Sequence, residues 1–185
     1  MLDAYEKFLE EFDKKLESYF KSQKNYIKCE KGCSKCCEIG EYPFSRLEAE
    51  YIMRAFIRLP KETKDKIRAN IEGLKKDKMA SKAQRFLYKC PFLIDNLCAL
   101  YKYRGIVCRT HGLAYLDDLT NKIKLPECAR IGLNYSGVFN QKDDSIYIVN
   151  PIKENFKIDY ILRSDTAQRY KLECGAIRPL IDWFL

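Results

Sequence analysis

Cys29, Cys33, Cys36 and Cys37 crowd four of the chain's nine cysteines into one nine-residue window, and Cys90, Cys98, Cys108 and Cys128 follow in a looser series. Ordinary core packing requires no such crowding. A metal ion or iron–sulfur cluster does, because about four soft ligands must converge on one point, and two or three intervening residues let a tight turn aim several sulfurs inward. The window therefore predicts a thiolate metal site, and the rest of the fold has to be built around it.

With 185 residues and 46% hydrophobic side chains the chain can bury an ordinary core, so it does not need metal merely because it is small. No apolar run approaches the roughly eighteen residues of a membrane span. Met1-Leu2-Asp3-Ala4-Tyr5-Glu6-Lys7-Phe8 mixes acids with aromatics where a signal peptide shows a basic start and an apolar stretch. The expectation is a soluble, cytoplasmic protein without a membrane partner. A reducing compartment turns clustered thiols toward metal or redox chemistry and away from disulfides, and the odd cysteine count also argues against a disulfide scaffold. The net charge of +8 arises from 34 Lys+Arg against 26 Asp+Glu spread along mixed-sign helices, which gives no strong nucleic-acid signal.

Leu2, Tyr5, Phe8, Leu9, Phe12, Leu16, Tyr19 and Phe20 recur three or four apart, predicting a helix to about residue 24. Ser45 with Glu48 three positions later forms a capping box ahead of Leu47, Tyr51, Ile52, Ala55, Phe56 and Leu59, and Pro60 ends that helix. A third helix starts at Pro60, with Ile67, Ile71 and Leu74 on its apolar face and Glu62–Lys66 and Glu72–Lys76 as i,i+4 pairs. Its other charges form a solvated face. Cys90-Pro91-Phe92-Leu93-Ile94 and Leu97-Cys98-Ala99-Leu100-Tyr101 flank Asp95-Asn96, which reads as a hairpin. A two-residue loop puts Cys90 and Cys98 on opposite faces; a three-residue loop with a bulge brings them onto one. Further on, Ile123-Lys124-Leu125 and Ile146-Tyr147-Ile148-Val149 suggest strands, Gly132 to Asp144 a long loop, and Glu154 to Leu172 a helix.

The full pattern is C-x3-C-x2-C-C, then Cys90-x7-Cys98-x9-Cys108-x19-Cys128. Together with Cys90-Pro91-Phe92-Leu93, Cys98-x-x-Tyr101, Tyr103-Arg104-x3-Cys108-Arg109 and Cys128 before an Asn-containing turn, it resembles the YkgJ-like cysteine-cluster family. These bacterial proteins are described as zinc- or iron-chelating and often named iron–sulfur oxidoreductases. The resemblance covers roughly residues 29 to 135 and implies that Cys29, Cys33, Cys36, Cys37, Cys90, Cys98, Cys108 and Cys128 are metal ligands. Gly105 departs from the family's usual proline, which loosens the loop leading to Cys108. A similar cluster occurs in flagellin lysine N-methylases, whose resemblance implies methyl transfer to protein lysines; only the cluster is carried over.

Other residues have plainer readings beside the functional one. Cys174 stands apart and reads as a buried structural thiol. His111, the only histidine, could reach the metal near Cys108 or donate to a carbonyl or cluster sulfur. Arg104 and Arg109 are either surface charges or cations that favour thiolates and ease cluster reduction. Cys29, Cys33 and Cys36 also match the C-x3-C-x2-C of radical S-adenosylmethionine enzymes, but the chain lacks the alternating strands and helices of their barrel.

Zinc commonly uses paired C-x2-C knuckles, and only Cys33 and Cys36 offer one. A four-iron cluster accepts irregular spacing, and eight cysteines could also hold two four-thiolate sites. The expectation is a mainly α, single domain over residues 1–185, with a small hairpin-containing, cysteine-rich subdomain organised by metal. Its cofactor is an iron–sulfur cluster of the [4Fe–4S] type, with zinc as the alternative. No nucleotide-binding loop, nucleophile–base pair or paired carboxylates stand out, so a cluster here could serve electron transfer, sensing or metal handling, and the leading expectation is redox or protein-modification chemistry with an unspecified protein or redox partner. The competing function is a structural zinc module that presents an interaction surface.

Overall fold

The structure is a computed structural model describing residues 1–30, 32–148 and 152–185. About 49% of it is helical, so the protein is mainly α. The strands among the described residues form small antiparallel pairs. Two compact units divide the chain: Met1–Leu2, Gly32–Cys108 and Glu173–Leu185 make the first, and Asp3–Lys31 with Arg109–Leu172 the second. Neither unit is continuous, and neither coincides with the cysteine region expected at 29–135. No helix among the described residues is long and apolar enough to cross a membrane.

In the first unit, helix Arg46–Phe56 begins where the capping box predicted: the Ser45 side chain accepts from Glu48 N–H and the Glu48 side chain reaches back to Ser45. It faces helix Lys61–Ala80, which buries only Ile67 and Ile71 because its remaining surface is charged. Ile52, Phe56, Ile67, Ile71, Phe92, Leu100 and Ile181 share one core. Each such side chain contributes about 1.5–3 kcal/mol when removed from water. Strand Pro43–Ser45 pairs antiparallel with Ile177–Pro179, and Trp183 Nε1 donates to Phe44 O at 3.1 Å, tying the late segment into this core. On the exposed face Lys66 meets Glu62 at 3.0 Å as expected, whereas Glu72 pairs with Lys75 one residue earlier than expected. Such exposed pairs contribute only a few tenths of a kcal/mol, about the same at either spacing.

The second unit is built on helix Leu2–Ser22, whose Tyr5, Phe8, Leu9, Phe12 and Leu16 are buried as the periodicity predicted. Tyr115–Asp117 pairs with Lys122–Lys124. The long helix expected from Glu154 to Leu172 is instead two short ones, Ile158–Leu162 and Asp165–Arg169. Ser164 breaks it: its backbone is extended and its side chain caps the second helix, accepting from Ala167 N–H. The stretch expected as a loop from Gly132 to Asp144 contains a 3-10 turn at Ser136–Val138 and a strand pair, Phe139–Asn140 with Ser145–Ile146. Tyr135 organises it, buried and stacked on Tyr26 at 5.6 Å while its N–H donates to Tyr26 O. Of the strand expected at 146–149, Val149 lies outside the described residues.

Candidate metal centre

Two backbone contacts draw the separate cysteine runs of the first unit together. Gly40 and Tyr88 exchange N–H to carbonyl bonds at 3.0 and 2.9 Å, and Cys90 N–H donates to Cys37 O at 2.8 Å. The long helical insertion between them is thereby looped out. Cys36 and Cys37 sit on the short helix Lys35–Glu38, with their sulfurs 3.9 Å apart.

The hairpin has the two-residue loop: Leu93 faces Cys98 and Ile94 faces Leu97, with Asp95 and Asn96 both at positive φ. Strand alternation would then put Cys90 and Cys98 on opposite faces, yet they lie within electrostatic reach of each other. The physical reason is a turn: Leu93 N–H donates back to Cys90 O at 3.1 Å, so Cys90 stands outside the strand and its direction does not follow the strand's period.

Cys108 arrives on helix Ile106–Thr110, whose first N–H is held by a buried carboxylate. Glu48 Oε1 accepts from Ile106 N–H at 2.7 Å, while Oε2 accepts from Ser45 N–H and from the Ser45 hydroxyl, each at 2.8 Å. Gly105 is part of this anchor. A Cβ there would come within 2.8 Å of both Glu48 Oε1 and the Phe44 ring. The expected loosening of the loop at Gly105 is therefore replaced by a close approach that only glycine permits.

Cys36, Cys90, Cys98 and Cys108 form an electrostatically connected quartet in which every pair raises at least one partner's pKa. Burial pushes the Cys90 thiol up to about 12, ahead of the repulsion from Cys98 and Cys36. Burial likewise raises Cys98 and, more strongly, Cys108, whose thiol is enclosed although part of the residue meets solvent. Opposing this, the N–H groups of Phe92 and Leu93 reach the Cys90 sulfur, and those of Leu100 and the charge of Arg104 act on Cys98. Backbone donors aimed at sulfur stabilise thiolate and tune a bound metal. Arg104 is held over the Tyr101 ring at 3.6 Å.

The remaining predicted residues divide between the units. Cys37 packs against the first unit's core and Cys33 is exposed. Cys29, Cys128, Arg109 and His111 belong to the second unit. There Arg109 is buried and paired with Asp13, and burial lowers the pKa of His111 while Glu127 opposes that shift. Cys174 is half-buried in the first unit, its thiol raised to about 11 by burial and by Glu48.

Sequence reasoning missed Glu48 and Asn134. Glu48 was visible only as a helix cap, and its grip on Ile106 N–H depends on a contact distant in the chain. Asn134 is fully buried, and its side chain accepts from Lys28 N–H and Cys29 N–H at 2.8 and 2.9 Å and donates to Gly112 O at 2.8 Å. The only signal for it was the Asn-containing turn after Cys128.

Among the described residues no disulfide joins any of the nine cysteines. Among the described residues, no three or more His, Cys, Asp or Glu side chains stand together so as to hold a metal ion. No family model, curated protein or solved structure matches the chain.

Proposed function

We propose that this chain is a cysteine-ligated metal protein in which Cys36, Cys90, Cys98 and Cys108 hold an iron–sulfur cluster that serves redox or protein-modification chemistry. The observation that carries this reading is the gathering of four thiols from three chain segments with backbone N–H groups already directed at two of the sulfurs. Four thiolates this near one another repel, and a bound cationic centre removes that repulsion. An all-sulfur donor set selects soft metals and fits a [4Fe–4S] cluster, which when bound supplies one-electron chemistry. Around it, Arg104 places positive charge near Cys98, Glu48 fixes the helix carrying Cys108, and the 37–40 and 88–90 backbone contacts set the spacing of the first two ligands. The resemblance to the cysteine-cluster family supports the same reading, with a redox or protein partner in the cytoplasm.

The alternative is a structural zinc module, favoured by the enclosure of Cys90 and Cys108, because structural zinc sites are closed. Anaerobic purification followed by metal and acid-labile sulfide analysis separates the two. Iron and sulfide in roughly equal amounts, about four of each per cluster, with sulfur-to-iron absorption in the visible, are the expected result. Stoichiometric zinc without sulfide would transfer the conclusion to the structural module.

A further inference from the structure

A cleft of about 310 Å³ opens in the first unit, lined by residues of helices Arg46–Phe56 and Lys61–Ala80. Met53 and Phe56 come from the first of these helices, Ile71 from the second, and Phe92 and Phe184 complete the floor from later segments. Phe56, Ile71 and Phe92 are buried, and the Phe92 and Phe184 rings meet edge to face with centroids 6.3 Å apart. The volume falls within the roughly 300–1,000 Å³ of small-molecule sites, which are mostly apolar with a few placed polar groups.

Two charges supply those polar groups. Arg68, Ile71 and Glu72 occupy i, i+3 and i+4 positions and share one helix face, so a cation and an anion with Cβ atoms about 5–6 Å apart border the apolar floor. Opposite charges at this spacing can pair with each other. Here Arg68 turns back to Asp65 and Glu72 forward to Lys75, each at 3.2 Å. The Arg68 guanidinium also lies over the Phe56 ring, 5.7 Å from its centroid, which keeps it at the edge of the cleft. The side chains of Arg68 and Glu72 are 61% and 62% exposed, so their ion pairs are weak and both charges can take a further partner.

We propose that this cleft binds a free α-amino acid with a large apolar side chain, its side chain on the floor, its carboxylate on Arg68 and its ammonium on Glu72. Such a molecule carries both charges on one carbon beside an apolar body, and the cleft presents the complement of each. A purely apolar ligand leaves both charges unanswered, whereas an apolar acid or amine answers one. An amino acid whose amine or carboxylate is tied up in a peptide bond also answers only one. Guanidinium takes a carboxylate through two parallel N–H bonds, which fixes the orientation as well as the charge. The rings of Phe56, Phe92 and Phe184 offer edge and face contacts to an aromatic side chain. No cysteine lines the cleft, so the site stands whether or not the thiols hold metal.

The test is equilibrium dialysis of the full chain, as purified, against L-phenylalanine and four analogues. Hydrocinnamate lacks the ammonium, phenethylamine lacks the carboxylate, N-acetyl-L-phenylalanine mimics a peptide C-terminus and L-phenylalanine amide an N-terminus. L-Phenylalanine should bind about tenfold or more tightly than each of them, since a hydrogen bond to a charged group contributes about that factor. Arg68→Gln should weaken L-phenylalanine about tenfold and leave phenethylamine unchanged, and Glu72→Gln should weaken it similarly and leave hydrocinnamate unchanged. Both substitutions are on the exposed face of a helix, and the analogue series on the unaltered chain decides independently of them. Absence of L-phenylalanine binding, equal binding of hydrocinnamate or phenethylamine, or unchanged affinity in both variants would overturn the proposal. Equal binding of the N-acetyl compound or of the amide would overturn it in favour of a peptide terminus.

Discussion

Replacing Glu48 by glutamine isolates the contribution of one buried carboxylate to the fold that carries Cys108. Its residue has no exposed surface, and three donors face it: Ile106 N–H at 2.7 Å, and Ser45 N–H and Ser45 O–H at 2.8 Å. Glutamine keeps the length but has one acceptor oxygen. If that oxygen stays on Ile106 N–H, the amide NH2 is turned toward Ser45, whose hydroxyl can rotate to accept but whose N–H cannot. One charge-assisted bond is lost, costing about 1.5–3 kcal/mol, and one buried N–H goes unpaired, costing about 1–3 kcal/mol. Relief from burying a carboxylate offsets part of the sum, so a net loss of about 2–4 kcal/mol is expected. Urea unfolding of the metal-free protein at neutral pH, followed by circular dichroism, measures it. Ser45→Ala is the internal reference, expected to cost about 1 kcal/mol through the cap. A Glu48→Gln loss below about 1 kcal/mol would refute the reasoning, since no capping or anchoring role of this size would then exist.

Three further outcomes follow from the same geometry. Gly105→Ala should destabilise by about 1–3 kcal/mol in thermal or urea unfolding, because its Cβ meets two buried neighbours; an unchanged midpoint would mean that Phe44 and Glu48 can yield. The folded pKa of Cys174 is raised from 9.0 to about 11, so its contribution to stability is present below pH 9 and is lost as pH rises through about 11; alkylation at Cys174, read by mass spectrometry, should accelerate across the same window, and full reactivity at pH 9 would contradict the shift. If the proposed cluster is present, Arg104→Gln should leave it bound but lower its reduction potential, whereas Arg109→Gln, which removes buried Arg109 from its pairing with the half-exposed Asp13, should act on stability; redox titration beside thermal unfolding distinguishes them.

The helices were legible because burial imposes a short-range period. Phe8, Phe12 and Leu16 recur at helical spacing, and Ser45 with Glu48 marks a helix start without reference to any distant residue. The failures share a non-local or competitive cause. Ser164 looked like one more residue in a helical stretch, but its side chain served the backbone better as a cap than as part of a continuous helix. Cys90 and Cys98 could not be assigned a common face because the turn at Pro91-Phe92 removes Cys90 from the hairpin's alternation. The eight clustered cysteines were visible from spacing alone, whereas their division between the first unit and the second depends on contacts such as Cys37 with Cys90 and Asn134 with Gly112, which no local pattern encodes.

The pairing of Pro43–Ser45 with Ile177–Pro179 bears on the order of events during synthesis. Phe44 must wait for Arg178 to be translated before this sheet can close, although Cys36, Cys90, Cys98 and Cys108 have all been made well before. A nascent chain thus passes through an interval in which its four thiols are available while the core beneath Phe44 is incomplete, and contacts so distant in sequence make closure slow. The late strand thus sets when the core beneath Phe44 can be completed.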